Sequence, residues 1–600
     1  MIRVAEYIAR ALADRGARHV FLVTGGGAMF LNDAFGHEPR LTCICNHHEQ
    51  ACAMAAEGYA RVTGTPGVVN VTTGPGGINA LNGVFGAWTD SIPLLVVSGQ
   101  VKRETCVGWY DRPRLRQLGD QEADIVRIVQ SVTKYAVFVK DPKTIRYHLE
   151  KAWHLASAGR PGPCWLDVPI DVQSAMIEPD ELPGYDPAED AVAWDVAQLR
   201  EQCREVLSRL QNAVRPVVMI GTGVRLAGGI DAFRELIDRL GVPVTTTWTA
   251  HDLLPSNHRL HCGRPGTIGD RAGNFTVQNA DVLLVIGSRL NIRQVSYNWK
   301  TFARHAYKIQ VDVDAEELNK PTVKPDLPIH CDARLFLEEM NRQAAGFDRA
   351  RHAGWLSWCR QRVTQYPVVT DRHRTSKGRI NPYHFIDVLF RRLHGDDVVV
   401  CGDGSACVVT FQAAWIADGL RLWCNSGCAS MGYDLPAAVG AAVARGGRRV
   451  ICLAGDGSIQ MNIQELQTVA HHQLPIKIFV LNNDGYMSIR QSQMAFFKRR
   501  IGEGPTSGLS FPDMSRVAQA YGLPTVRIER GDLAAAVEYV LGADGSLLAD
   551  VLLDPEQVFE PKLSAKQLPG GAIVSPPLED MAPFLHQDEL RANLLVPEAA

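Results

Sequence analysis

The segment from Val450 to Asn483 constrains this chain more than any other. Val450-Ile451-Cys452-Leu453-Ala454 is an unbroken apolar run, the pattern of a strand covered on both faces in a parallel sheet. It runs into Gly455-Asp456-Gly457-Ser458, whose glycines permit a sharp turn and let a phosphate approach backbone N–H groups. Ile459 to Ala470 then reads as a helix and Ile476 to Leu481 as the next strand, closing on Asn482-Asn483. A right-handed crossover returns both strand ends to one edge of the sheet, so Asp456 and Asn483 are expected side by side. A carboxylate and an amide oxygen beside a phosphate-binding turn suit Mg2+, which takes oxygen ligands and shares them with phosphates. A similar turn, Gly402-Asp403-Gly404-Ser405, follows the strand Val398 to Cys401. It lacks a matching Asn-Asn, so the metal is not assigned there.

At 600 residues the chain exceeds what one core can hold, and three or four domains are expected. A net charge of −3, with acids and bases interspersed, gives no reason to expect nucleic acid or an anionic membrane as partner. The 14 cysteines are scattered without the paired spacing of a zinc site or a disulfide framework, and read as free thiols of a reducing compartment. No signal peptide is read at Met1 to Glu6, nor any apolar run that could span a bilayer, so a soluble cytoplasmic protein is expected.

Residues 1 to about 175 alternate strand-like and helix-like segments, with glycine turns after the strands. Among them are His19 to Val23 before Thr24-Gly25-Gly26-Gly27, Thr42 to Cys45 before His47-His48-Glu49-Gln50, and Val68 to Thr72 before Gly74-Pro75-Gly76-Gly77. The acidic, proline-bearing stretch Glu181 to Asp195 reads as a linker. A second α/β unit over about 196–345 follows, then a charged connection over about 346–378. A third unit over about 379–565 carries the opening motif, and a proline- and leucine-rich tail completes the chain through 566–600. The predicted fold is α/β, with three open parallel-sheet domains.

The Gly-Asp-Gly to Asn-Asn segment resembles the diphosphate-and-metal motif of thiamine diphosphate (ThDP) enzymes. The resemblance implies that Asp456, Asn483 and the Gly485 carbonyl bind Mg2+, with Gly457 and Ser458 on the diphosphate turn. His48-Glu49-Gln50, Ala56-Glu57-Gly58-Tyr59-Ala60-Arg61, Gly74-Pro75-Gly76 through Asn79, and Asp90-Ser91-Ile92-Pro93 through Ser98-Gly99-Gln100 resemble the members nearest acetolactate synthase. Glu49 then becomes the group that exchanges a proton with N1′ of the aminopyrimidine, where by itself it would read as a carboxylate stabilising a helix N-terminus. Gln121 and the Gly25-Gly26 backbone become candidate contacts to substrate oxygens, and Pro75 and Asn79 cofactor contacts. In Asn425 to Pro436, which resembles the aminopyrimidine turn, Met431 would wedge between the cofactor rings and the Ala429 carbonyl would accept from the 4′-amino group. Gly404, Ser405 and Ala406 would touch the cofactor from the second glycine turn.

The middle unit raises a flavin question. Gly287-Ser288-Arg289-Leu290-Asn291-Ile292-Arg293 resembles the FAD-contacting loop of acetolactate synthases. Gly221 and Gly223, Gly263, Arg264 and Gly266, Asp312, and Asp332 with Ala333 fall where that family also contacts FAD. Arginines after a strand suit a pyrophosphate, and a flavin here would be structural, since the implied reaction has no net redox change. The alternative is a middle domain without flavin.

The implied reaction is decarboxylation of pyruvate and transfer of the acetyl carbanion equivalent to a ketone. Acetolactate synthases carry Phe-Gln where this chain has Asp120-Gln121, and a Trp about where Ser492 falls. Smaller, polar residues favour a bulkier or hydroxylated acceptor, which brings the chain nearer the carboligases of branched-chain (yersiniose-type) sugar biosynthesis. Acetolactate synthase itself, joining two 2-keto acids, is the alternative; a non-catalytic nucleotide- or flavin-binding protein is the alternative of another class. The resemblance also implies a homodimer or tetramer with active sites at the subunit interface.

Overall fold

The computed structural model describes residues 1–110, 114–375, 377–567, 570–571 and 573–597. Three parallel sheets organise it. Edge to edge, the N-terminal sheet runs Thr42–Cys45, His19–Leu22, Gly67–Val71, Leu94–Gln100, Pro163–Pro169, Tyr135–Phe138. The C-terminal sheet runs Arg421–Trp423, Val398–Cys401, Val450–Gly455, Ile476–Asn482, Leu547–Leu552, Thr525–Ile528. Numbered within each domain, both orders are 2-1-3-4-6-5. The central sheet, Val244–Thr246, Pro216–Ile220, Val282–Ile286, Tyr307–Asp312, Leu327–His330, has order 2-1-3-4-5.

In all three sheets the winding reverses between the first and third strands. Crossovers leave opposite faces there, and a crevice opens beyond the carboxyl ends of those two strands. The loops at the three crevices are Thr24–Gly27 with Thr72–Gly76, Gly221–Gly223 with Gly287–Arg289, and Gly402–Ser405 with Gly455–Ser458. Topology alone therefore brings the second glycine turn, at Gly402 to Ser405, next to the turn that carries Asp456.

The strands are apolar because helices cover both faces: Val450–Gly455 and Leu94–Gln100 are buried at every position. The N-terminal and C-terminal domains dock through helix Glu49–Thr63 against helix Asp434–Ala444. The approach is close enough that a Cβ at Gly58 would fall on the Ala437 carbonyl and one at Gly440 on the Ala55 carbonyl. Inside the N-terminal sheet Asp167 accepts from Ser98 Oγ at 2.6 Å and Gln100 Nε2 at 3.1 Å. Burial pushes its carboxyl up to about 7.

Two segments differ from the sequence reading. Ile459 to Ala470 is a 3-10 turn, Ile459–Asn462, followed by a separate helix, Glu465–His471. The Asn462 side chain is buried and donates to the Gly432 carbonyl at 2.8 Å, a tertiary bond that anchors the break. The connection over 346–378 holds the 13-residue helix Ala353–Gln365, which packs on helix Arg271–Gln278; the Trp355 indole N–H reaches the Pro216 carbonyl at 3.0 Å. The tail is embedded: Leu578 and Met581 are 1% exposed, and Glu579 pairs with Arg304 at 2.8 Å. No helix among the described residues is long and apolar enough to cross a membrane.

Candidate active site

At the C-terminal crevice Asp456 is buried, its Oδ1 accepting from Gly457 N at 2.8 Å and its Oδ2 from Gly485 N at 2.9 Å. Burial pushes its carboxyl up to about 7. Asn483 Nδ2 donates to Ser405 Oγ at 3.0 Å, while Asn483 Oδ1 is buried with no donor among the described residues. The Gly485 carbonyl accepts from Met487 N at 3.1 Å and retains a second lone pair. Among the described residues no cation pairs with this buried carboxylate, and with the bare amide oxygen beside it the donor set fits Mg2+. Gly457 has no room for a side chain, because a Cβ there would strike the Tyr486 ring.

The second turn supplies the cradle. Gly404 has φ +80°, and helix Ser405–Ala413 starts at Ser405 and Ala406, so its free N–H groups face the crevice. Asp403 is buried here with Oδ2 unpartnered among the described residues, and burial raises its carboxyl well above the usual range.

The turn from Asn425 to Pro436 closes over both loops. Ser458 Oγ donates to Asp434 Oδ2 at 2.6 Å and accepts from Gly432 N at 2.8 Å. Burial lifts Asp434 to about 6. Ala429 holds a left-handed φ of +56°, a conformation a non-glycine residue adopts at a cost of ~1 kcal/mol or more. Met431 is half-buried between Ser430 and Gly432.

At the N-terminal crevice Glu49 begins helix Glu49–Thr63, capped by His48, and its Oε2 accepts from Asn79 Nδ2 at 3.0 Å. Among the described residues no donor reaches Oε1. Pro75 opens helix Pro75–Asp90, and a Cβ at Gly76 would lie 3.7 Å from Glu49 Oε1. Gly25 packs on Thr72, at 2.5 Å for an added Cβ, whereas Gly26 faces open space. Gln121 is exposed with φ +61°, its backbone against Gly74. The fold thus brings Glu49, Asn79, Pro75, Gly25, Gly26 and Gln121 to one sheet edge.

Domain contacts position both halves. Buried Glu465 accepts from Asn46 Nδ2 at 2.8 Å and His47 N at 2.9 Å, just before Glu49. Gly427 N donates to Asp90 at 2.9 Å, and Arg61 pairs with Asp90 at 2.8 Å and with Glu57 at 2.6 Å. The Tyr433 hydroxyl completes this buried group on Glu57. Sequence reading assigned no role to Glu465 or Asp434; both are acids within a helix-like apolar pattern, and only their complete burial sets them apart.

A cleft between all three domains lies at the central crevice. Gly223, Gly287, Arg289, Asn291, Asp312, Asp332 and Ala333 line it, with Trp248 and Thr249, which the sequence did not single out. Arg289 has no hydrogen-bond or ion-pair partner among the described residues, and Trp248 Nε1 and Gln294 Oε1 are buried there unpartnered. A free guanidinium with bare polar atoms in a cleft fits a pyrophosphate-bearing ligand such as FAD. Burial lifts Asp312 to about 6. Other residues of the flavin set are engaged elsewhere. Arg264 is buried and donates to the carbonyls of Phe411 at 3.1 Å and Ala414 at 2.8 Å, tying the central domain to the C-terminal one. Gly221 packs on Gly287, Gly263 on Gly273, and Gly266 N donates to Asn274 at 2.8 Å. Arg293 lies over the Trp248 ring at 5.2 Å.

Three family descriptions match the three sheets. Residues 2–126 match "Thiamine pyrophosphate enzyme, N-terminal TPP binding domain", residues 203–340 the central domain, and residues 398–551 the C-terminal TPP binding domain. The chain belongs to the ThDP (thiamine pyrophosphate) enzymes, within their acetolactate synthase family. It is 33% identical over 591 residues to the acetolactate synthase isozyme 3 large subunit of Escherichia coli (strain K12), covering 96% of this chain and 98% of that protein. It is 33% identical over 582 residues to probable acetolactate synthase 2, chloroplastic, of Oryza sativa subsp. japonica (93% and 84%). It is 30% identical over 569 residues to the acetolactate synthase large subunit of Lactococcus lactis subsp. lactis (strain IL1403) (94% and 94%).

Proposed function

We propose that the chain decarboxylates pyruvate and joins the two-carbon unit to a ketone, in the manner of the carboligases that build branched-chain sugars. The observation that carries the carboligase reading is the pair of half-finished sites: Glu49 with Oε1 free, and Asp456 with Asn483 Oδ1 bare. Bound ThDP would supply a nucleophilic carbon and an electron sink. The protein's part is to orient and to move a proton. Asn79 fixes the Glu49 carboxyl by its Oε2, so Oε1 is the atom that holds or releases the proton. Asp456, Asn483 and the Gly485 carbonyl would hold Mg2+, and Ser405, Gly457 and Ser458 the diphosphate. Ala429 and Met431 would hold the aminopyrimidine, while Gly26 N–H and Gln121 would contact substrate oxygens.

The ketone acceptor is favoured by the exposed polar pair Asp120 and Gln121, and by Ser492 on helix Met487–Phe496. The second reading, a 2-keto acid acceptor, is favoured by the names of the relatives. Mass spectrometry separates them. Protein given ThDP, Mg2+, pyruvate and cyclohexanone yields an acetyl-bearing tertiary alcohol in the first reading. It yields only acetolactate or acetoin in the second.

FAD would occupy the central cleft as a structural group. Purified protein is then yellow, and Arg289→Ala loses the flavin absorbance. A second copy would close the open side of Glu49: helix Pro75–Asp90, which carries Asn79, exposes Ile78 (47%) and Phe85 (41%). Sedimentation as a monomer at micromolar concentration would count against that assembly.

A further inference from the structure

We propose that the cleft between helix Met487–Phe496 and the segment 555–564 binds the anionic group, carboxylate or phosphoryl, of the acceptor substrate. This rests on the carboligase reading above.

The cleft is lined by Met487, Gln491, Met494, Arg500, Phe559 and Lys562, among others. Its polar atoms are unbalanced. The one hydrogen-bonding partner of Lys562 Nζ among the described residues is Gln491 Oε1, at 3.5 Å, and no carboxylate lies within ion-pair reach. Gln491 Nε2 is buried without an acceptor. Arg500 stands 3.9 Å from Glu503 and 3.7 Å from Glu556, longer than a hydrogen bond. Of the carboxylates nearby, Glu556 faces Arg500, Glu503 is held by Arg490 at 2.6 Å, and Glu560 by His373 at 2.8 Å and Arg372 at 2.5 Å. Lys562 and the Gln491 amide therefore line a cleft in which no carboxylate among the described residues pairs with either. Burial disfavours the Lys562 charge, and no protein anion offsets it. An oxyanion supplies the missing acceptors and the missing charge.

The helix that lines the cleft is tied to the loop that carries Asn483. Met487 N donates to the Gly485 carbonyl at 3.1 Å. Arg490, on the same helix, donates to the carbonyls of Asn483 at 3.3 Å and Asp484 at 2.9 Å. A ligand anchored at Lys562 thus lies along a wall fastened to the loop that carries Asn483.

The test uses holoenzyme saturated with ThDP, Mg2+ and FAD, with pyruvate as donor. The acceptors are dihydroxyacetone, its phosphate, and 2-ketobutyrate. Lys562→Met raises KM for an anionic acceptor by at least about tenfold and leaves KM for dihydroxyacetone within about twofold; Lys562→Arg restores the wild-type ratio. Whether the phosphate or the carboxylate acceptor responds identifies the anion. An unchanged ratio, or an equal loss for the neutral acceptor, overturns the proposal. If no acceptor reacts, the carboligase reading fails, and calorimetric binding of inorganic pyrophosphate to the same holoenzyme decides the cleft alone. Saturable binding lost in Lys562→Met supports it; absent or equal binding refutes it.

Discussion

Asn483 and Ser405 sit on loops 78 residues apart, yet Asn483 Nδ2 donates to Ser405 Oγ at 3.0 Å. That bond decides which end of the amide is spent, for Oδ1 is left buried and bare. Asn483→Ala is expected to weaken Mg2+-dependent ThDP binding by about tenfold to a hundredfold, with the folded chain intact. Cofactor titration with and without Mg2+, followed by tryptophan fluorescence, measures it. Equal binding in both would remove Asn483 from the metal site.

Glu49 is held through one oxygen by Asn79 at 3.0 Å. Glu49→Gln preserves shape and removes the exchangeable proton, so turnover should fall by about a hundredfold or more, with ThDP affinity nearly unchanged. Asn79→Ala should lower kcat less, because the carboxyl remains and loses only the donor that fixes its orientation. Pre-steady-state turnover distinguishes the two.

The docking of the outer domains depends on two glycines facing carbonyls. Gly440→Val should cost about 1–3 kcal/mol or more, because the new side chain meets the rigid Ala55 backbone. Urea denaturation reads the loss. A cost near zero would mean the helices slide apart without penalty.

Asp167 gives the pH dependence a sign. Its folded pKa, about 7, lies above its ordinary value of 3.8, so the folded chain keeps a proton the unfolded chain sheds. The stability it contributes is full below pH ~4 and is lost as pH rises through ~7, at most a few kcal/mol. Asp167→Asn should flatten that part of the curve in denaturation melts run between those limits.

Much of this arrangement was legible in the sequence because apolar strands covered on both faces are unmistakable. Val450–Ala454 and Val282–Ile286 carry unbroken hydrophobic runs, and their glycine turns mark the crevices; Ile478–Leu481 is a third such run. Short strands such as Val244–Thr246 and Arg421–Trp423 lack the length to signal themselves. The helix Ala353–Gln365 is hidden for a different reason: its interspersed arginines and glutamines mask a narrow apolar stripe at Trp355 and Cys359. The turn at Gly402 looked secondary without an Asn-Asn of its own, yet it shares a crevice with Asp456 because their strands are neighbours. Arg264 shows the converse, a motif arginine whose charge is used between domains. No local pattern distinguishes those two uses of a buried arginine.

Glu465 holds Asn46 and the His47 backbone across 419 and 418 residues of chain. A ribosome makes Glu49 early and Glu465 late. The proton-handling residue is therefore among the first to leave the exit tunnel and waits for the distant carboxylate before its helix is fully anchored. During synthesis the unfinished chain carries its acid without this brace.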